Sequence, residues 1–418
     1  MRTIALGLLA SAMLLNGCRN NTVEQISSSP ALPNDTSTAF VQGNTEFAFQ
    51  FFQQLAEKTE PNQNLVCSPL GVQLLLSLML NASEGQVYDE IAETLGYGKG
   101  AALDAINRHC EALQQTLLAN DTQQRLHIAN SIWYDNAAGV LHPDFAQAAA
   151  QFYKAEAHQV SFADAGGTAE KINEWVRQHT FGMVKELITP ADLIGRPTTF
   201  AGVNCLYFKG LFERAFERSK VATPFHTETG RKVSFYPMVQ RFEAVPYMKG
   251  SEVEIVALPY QGGSVRLYLL LPGAGRSVQS LVADLAAGRW NEWLAQLRPT
   301  ALQVELPRFT IDNQAIGNQH DLQGVLQALG IRAAFDPPIF TKIYENGGDN
   351  EIKIVRQGAK IVVNEEGTEA GAATIVITTV RAAFKEPVFR ANRPFVFLLR
   401  HEPTGAILFA GILRQPQE

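Results

Sequence analysis

The sequence predicts one large domain of the α+β class. Three observations carry this: helical periodicity dominates the first half, β-branched and aromatic runs dominate the second, and no linker or abrupt change of composition separates them after about residue 40. With 418 residues, 46% of them hydrophobic and 18% charged, the chain can bury a large core. No period of 20 to 50 residues repeats, which excludes solenoids and propellers.

Taken in order, Arg2 and the apolar run Ile4 to Leu15 read as a secretion signal, too short to span a bilayer. Leu15-Asn16-Gly17-Cys18 resembles the lipobox of bacterial lipoproteins, in which the cysteine becomes the lipidated first residue. Residues 1–17 are therefore expected to be removed, leaving Cys18 as a membrane anchor at a bacterial cell envelope. Residues 18–38 are polar with scattered Pro and Ser and read as a tether, and the folded domain as 39–418. Helical pattern follows from Phe40 to about Phe181, clearest at Phe47–Leu55, Val72–Leu80, Val87–Leu95, Ile106–Leu118 and Ala146–Tyr153. Ser83 with Gln86 has the spacing of a capping box, and Gly96 ends the helix so opened. Leu126–Tyr134 reads as a strand within this half.

Strands are predicted at Phe200–Phe208, Val233–Met238, Glu252–Leu258, Val265–Leu271, Leu302–Leu306, Ile352–Val363, Phe395–Leu399 and Ile407–Leu413. Helices interrupt them at Val278–Ala287, Trp290–Leu297 and Asp321–Leu329.

Enzyme signatures are missing: there is no nucleophile elbow, phosphate-cradling loop or HExxH. Gly96-Tyr97-Gly98-Lys99-Gly100 has the wrong glycine spacing for a nucleotide and reads as a turn after a helix. The eight histidines are dispersed without metal-ligand spacing, so neither metal nor cofactor is implied. A net charge of -6 without a basic run gives no footprint for nucleic acid. Cys67, Cys110 and Cys205 each lie among apolar residues and read as buried small hydrophobes.

The segment Glu365 to Phe384 is unusual. It is small and mobile from Gly367 to Thr374, then β-branched throughout from Ile375 to Val380, a composition suited to two states. As a strand it would place Thr368, Ala370, Ala372, Thr374, Val376 and Thr378 on one face and Glu369 on the other, so that no charge needs burial.

Glu365-Glu366-Gly367-Thr368-Glu369-Ala370-Gly371-Ala372-Ala373 resembles the hinge of inhibitory serpins. Five further stretches resemble serpin landmarks in serpin order: Asn64–Leu70, Leu126–Asn130, Val203–Gly210, Leu258–Tyr260 and Asn392–Phe397. The likeness covers about residues 40 to 416. It implies a serpin fold of three β-sheets and about nine helices, with an exposed reactive loop near the C-terminus. It also implies a mechanism: a protease cuts the loop, the loop inserts as a central strand, and the acylated protease is deformed and trapped. Insertion of this kind adds a strand to a sheet and releases stored strain, so the inhibitor itself needs no catalytic residue.

Inhibitory members set the bait bond seventeen residues from the hinge Glu, and Glu365 to Arg381 inclusive gives that count, so the resemblance implies Arg381-Ala382. Arg381 suits the carboxylate pocket of trypsin-like serine proteases, with Arg-specific cysteine proteases as a second partner class. Cleavage after Val380, Phe384 or Lys385 would mean another register. Glu365 and Arg308 match the family's ion pair at the top of the main sheet, and Ser68 and Asn204 its shutter. Three positions depart: Gly71 where a second shutter Ser is common, Gln357 where a His is common, and Phe212 where a Trp packs at the breach. Ala101–Leu118 carries Arg108 alone among Lys and Arg, so heparin activation is not implied. The expectation is a monomeric, single-use inhibitor; a non-inhibitory serpin binding at the cell surface is the competing reading.

Overall fold

Six helices precede the sheet-rich half in the computed structural model, which describes residues 34–119, 124–135, 137–194, 198–312, 320–335, 340–347, 356–368 and 387–416. They are Asn34–Lys58, Pro69–Met79, Gly85–Thr94, Leu103–Leu118, Pro143–Tyr153 and Ala165–His179. The first begins at Asn34, inside the stretch assigned from sequence to the tether. Pro69 and Pro143 each occupy a first-turn position, where a missing N–H costs nothing. The capping box at Ser83 does not form: the helix opens after Glu84, and the Ser83 hydroxyl turns back to donate to the Leu80 carbonyl at 3.1 Å. A preceding 3-10 turn, Leu80–Ala82, supplies that carbonyl and so outcompetes the cap. Gly96, Gly98 and Gly100 have φ of 77°, 89° and 69°, which fits the reading of this stretch as a turn after a helix.

The main sheet has six strands in the order Phe309–Asp312, Lys360–Val363, Gly367–Thr368, Phe200–Leu211, Gln124–Asp135 and Glu156–Val160. A path of eight strands, with Glu217–Arg218 pairing beside it, forms the other two sheets, which share the strand Met238–Lys249. Its residues from Met238 to Tyr247 pair with Leu306 to Arg298, and Tyr247 to Lys249 pair with Val256 to Glu254. One of these sheets adds Val388–Arg390, the other runs through Val253–Pro259, Val265–Pro272, Phe395–His401, Ile407–Leu413 and Leu65–Cys67. The three sheets are those expected, and the described residues form ten α-helices against about nine expected.

The shared strand is a correction. The sequence reading ended a strand at Met238, whereas a new one begins there after a break at Tyr236 and Pro237. Gln240, Arg241 and Glu243 break up its apolar residues, while Phe242 and Val245 are buried, so no continuous apolar run or strict alternation marks it.

His109 illustrates a buried titrating group. It is 4% exposed on the helix Leu103–Leu118, and burial holds its imidazole down at about 4. The unfolded ring titrates near 6.5, so between those values the unfolded state binds more protons and stability falls as pH falls. About 3 kcal/mol is expected to be lost from pH 6.5 to 4 through this group. Denaturant midpoints of the wild type and His109→Gln across that range check this; parallel curves would contradict it.

Candidate functional site

The hinge forms as the chain turns out of the strand Lys360–Val363. Asn364 Oδ1 accepts from the backbone N–H groups of Glu366 and Gly367 at 3.0 and 3.2 Å, and Asn364 N–H donates to the Gly367 carbonyl at 2.9 Å. The chain then runs back antiparallel, with Val363 opposite Thr368. Its next neighbour is the strand Phe200–Leu211, with Gly367 opposite Leu211 and Thr368 opposite Gly210, again antiparallel. Gly367–Thr368 thus sits as a short strand between two others. Among the described residues it is the only ladder that links them.

Gly367 is required here for a steric reason. Its φ is 155°, and a Cβ would lie 2.0 Å from the Gly210 carbonyl oxygen and 2.8 Å from Leu211 Cα, both backbone atoms that cannot step aside. Two further backbone bonds fix the turn: Phe212 N–H and Phe216 N–H donate to the Glu366 and Glu365 carbonyls, each at 2.7 Å. The Glu365 carboxylate meets Arg308 at 2.5 Å, which is the expected ion pair. Its other oxygen, Oε1, is buried with no hydrogen-bond partner among the described residues.

Beneath the hinge lies an aromatic floor. Phe212 stacks on Tyr260 at 4.9 Å and meets Phe216 edge-on at 5.4 Å, so this ring, standing where the resemblance implies a Trp, is packed in the core at 3% exposed. Tyr260 is fully buried, which pushes its phenol up, and its hydroxyl lies 2.5 Å from the Thr368 hydroxyl. Tyr260→Phe is therefore expected to leave that hydroxyl unpaired at a cost of about 1 kcal/mol. Hydrogen exchange at the Thr368 amide checks this: unchanged protection would mean the contact holds nothing.

The second cluster lies at the N-terminus of the helix Pro69–Met79. Ser68 caps it, its hydroxyl accepting from Gly71 N–H at 3.3 Å. Gln357 grips Ser68 as a strand would: its Oε1 accepts from Ser68 N–H at 2.9 Å and its Nε2 donates to the Ser68 carbonyl at 2.7 Å. Asn204, on Phe200–Leu211, donates to Asn130 Oδ1 at 2.7 Å, and Asn130 donates to the Tyr153 carbonyl at 2.7 Å. Gly71 is explained by this neighbour, since a Cβ there would lie 2.4 Å from Asn204 Oδ1. Gln357, which pairs with His320 in a separate two-stranded sheet three residues before Lys360–Val363, is thus bonded to Ser68, and Asn204 of the other flanking strand lies against Gly71 in the first turn of the same helix.

The structure brings together Ser68, Gly71, Asn204 and Gln357 at one point and Arg308, Glu365, Glu366, Gly367, Thr368 and Phe212 at another. Glu369, Ala370, Gly371, Ala372, Ala373, Arg381, Ala382 and Cys18 lie outside the described residues. The sequence gives no sign of Asn364, and marks Asn130, Gly210 and Tyr260 only as parts of landmarks, without a role. Cys67, Cys110 and Cys205 are all buried and unpaired, and burial raises each thiol.

Comparison with known proteins adds the decisive observation: the family model described as serpin (serine protease inhibitor) matches residues 42–416. The chain belongs to the serpin family. A rice relative, serpin-ZXA of Oryza sativa subsp. japonica, is 31% identical over 395 residues, covering 89% of this serpin and 96% of the relative. Mouse glia-derived nexin is 30% identical, over 406 residues, covering 92% and 94%. Among solved structures, that of native protease nexin-1 with heparin superposes with a TM-score of 0.79 at 25% identity, over 91% of this serpin and 100% of that chain. The hinge turn accordingly belongs to a serpin main sheet, and Asn204 of that sheet lies in the cluster at Ser68.

Proposed function

We propose that this serpin is a single-use inhibitor of trypsin-like, Arg-specific serine proteases, with Arg381-Ala382 as the bait bond. The observation that carries the reading is the seating of Gly367 and Thr368 between Lys360–Val363 and Phe200–Leu211, antiparallel to both. A strand lengthening from there keeps the same register. Thr368 opposite Gly210 continues as Ala370 opposite Phe208, Ala372 opposite Leu206, Thr374 opposite Asn204 and Thr378 opposite Phe200, the start of the twelve-residue strand. Thr368 is 3% exposed, so the face it begins is the buried one, and small residues follow on that face.

In this mechanism the protease's nucleophile attacks the Arg381 carbonyl carbon and the Ala382 amine leaves, giving an ester between Arg381 and the protease. Insertion then competes with water for that ester. The serpin supplies the strand and the protease supplies the chemistry. From Gly367 to Arg381 the strand would reach roughly 50 Å, enough to carry the acylated protease far along the domain.

Mixing the purified domain with trypsin tests the reading. A complex that survives SDS, with the cut mapped after Arg381 by mass spectrometry, is the expected result; cleavage at that bond without a complex would sink inhibition. We also propose that Cys18 anchors the protein at a bacterial cell envelope, supported by the apolar run Ile4–Leu15 and the Leu15-Asn16-Gly17-Cys18 sequence. Cys18→Ala is expected to release the protein into the soluble fraction; unchanged membrane association would count against the anchor.

A further inference from the structure

On the opposite edge of the main sheet, two imidazoles and one carboxylate converge. The edge strand Glu156–Val160 runs parallel to Gln124–Asp135, with Glu156 opposite Ser131 and His158 opposite Trp133. The helix Ala165–His179 packs over these strands through Ala169, Ile172 and Val176, and its last residue, His179, comes back to the edge strand. His158 stacks on Trp133 at 4.3 Å and His179 on Trp175 at 4.1 Å, so each ring is held in place by an indole. His158 Nε2 lies 3.0 Å from Glu156 Oε2 and His179 Nε2 lies 3.3 Å from Glu156 Oε1. Trp175 Nε1–H also donates to Glu156 Oε2, at 2.9 Å.

The tautomer of His179 decides what this cluster is. Its Nδ1 lies 2.8 Å from the Trp175 carbonyl, and a carbonyl can only accept, so Nδ1 carries a hydrogen. A neutral ring then has a bare lone pair on Nε2, aimed at a carboxylate oxygen. Two acceptors would face each other. A cation between them removes the conflict, and among the described residues no group of three His, Cys, Asp or Glu side chains could hold a metal ion. The cation that fits is a proton on Nε2.

We propose that Glu156, His158 and His179 form a proton-operated clasp, which fastens the helix Ala165–His179 to the edge of the main sheet when the imidazoles are charged and slackens when they lose their protons. The neighbouring charges fit this role. Glu156 is held below the usual carboxylate range: burial alone would raise it, and the bonds from Trp175 and His158 with the charges of His179 and His158 outweigh burial. His127 stacks on His179 at 5.7 Å, and burial followed by the nearby His179 charge lowers its own protonation, so it does not compete for the proton. Glu170 and Glu174 on the helix are both paired with Arg177, and Lys171 lines the same open groove as His158. The clasp borders the half of the sheet that must part from Lys360–Val363 for a loop to enter. Its regulatory meaning therefore rests on the inhibitor reading, while its existence does not.

Hydrogen exchange of the helix amides in the purified protein, corrected for intrinsic rates, tests the clasp. Protection is expected to be about threefold to tenfold greater near pH 5.5 than near pH 8, the range for one or two partly exposed ion pairs. The core moves the opposite way through His109, so the helix and the core are distinguishable in one experiment. In His158→Gln/His179→Gln the helix should lose this dependence. Equal protection of the wild-type helix at both pH values, or a dependence that persists in the double variant, overturns the proposal. Should that variant fail to fold, wild-type tryptophan emission decides, since imidazolium stacked on Trp133 and Trp175 quenches it; a flat titration overturns the clasp. Trypsin is absent from these measurements, so a protein that traps no protease at any pH would end the inhibitor reading and leave the clasp standing.

Discussion

Thr368→Arg is expected to leave the bait bond cleavable and abolish the covalent complex. Thr368 is 3% exposed, flanked by the backbone of two strands and met from below by the Tyr260 hydroxyl, so an arginine there has no route to solvent once the strand lengthens. Burying an unpaired charge costs several kcal/mol, which slows insertion by at least about 100-fold relative to hydrolysis of the ester. The acyl-enzyme then loses the race to water and trypsin turns the variant over as a substrate. Thr368→Val is the control, since it keeps the shape and loses only the hydroxyl; it should still trap. A complex surviving SDS in Thr368→Arg at wild-type yield would show that insertion does not begin at this residue.

Arg381→Ala carries the other large effect. A protease pocket built around a carboxylate leaves that charge unpaired when the arginine is removed, and sites of this kind discriminate by roughly 10⁴-fold. The association rate with trypsin is expected to fall by about that factor, while hydrogen exchange of the Gly367 and Thr368 amides stays as in wild type. A loss of less than about tenfold, or a cut that moves to Val380, Phe384 or Lys385, would show that the count from Glu365 sets a different bond.

Much of this fold was legible because its signals are local. Ile407–Leu413 is apolar throughout and is buried at every position, so its bounds could be read directly. Of the stretch that resembles a serpin hinge, Gly367 and Thr368 form a short strand, and the small residues after them lie outside the described residues. The Glu365–Arg308 pair was reached through family likeness and is present. What escaped depends on partners remote in the chain. Nothing near Tyr260 signals that its hydroxyl meets Thr368, 108 residues later. Gln357 looked like a departure from the shutter, yet its amide makes two hydrogen bonds to the Ser68 backbone that no local pattern announces. Gly71 looked like a lost hydroxyl and is instead the space that Asn204 occupies. Met238–Lys249 serves two sheets, and its buried and exposed residues do not alternate along its length, so neither strand pattern stands out in its sequence.

Everything C-terminal to Arg381-Ala382 includes Val388–Arg390, Phe395–His401 and Ile407–Leu413, and the last of these lies between Phe395–His401 and Leu65–Cys67, near the other end of the chain. Proteolysis at the proposed bait bond would therefore divide the polypeptide without dividing the molecule. The smaller fragment stays interleaved with the larger as an inner strand pair, and strong denaturant, rather than dilution, is what separates the two.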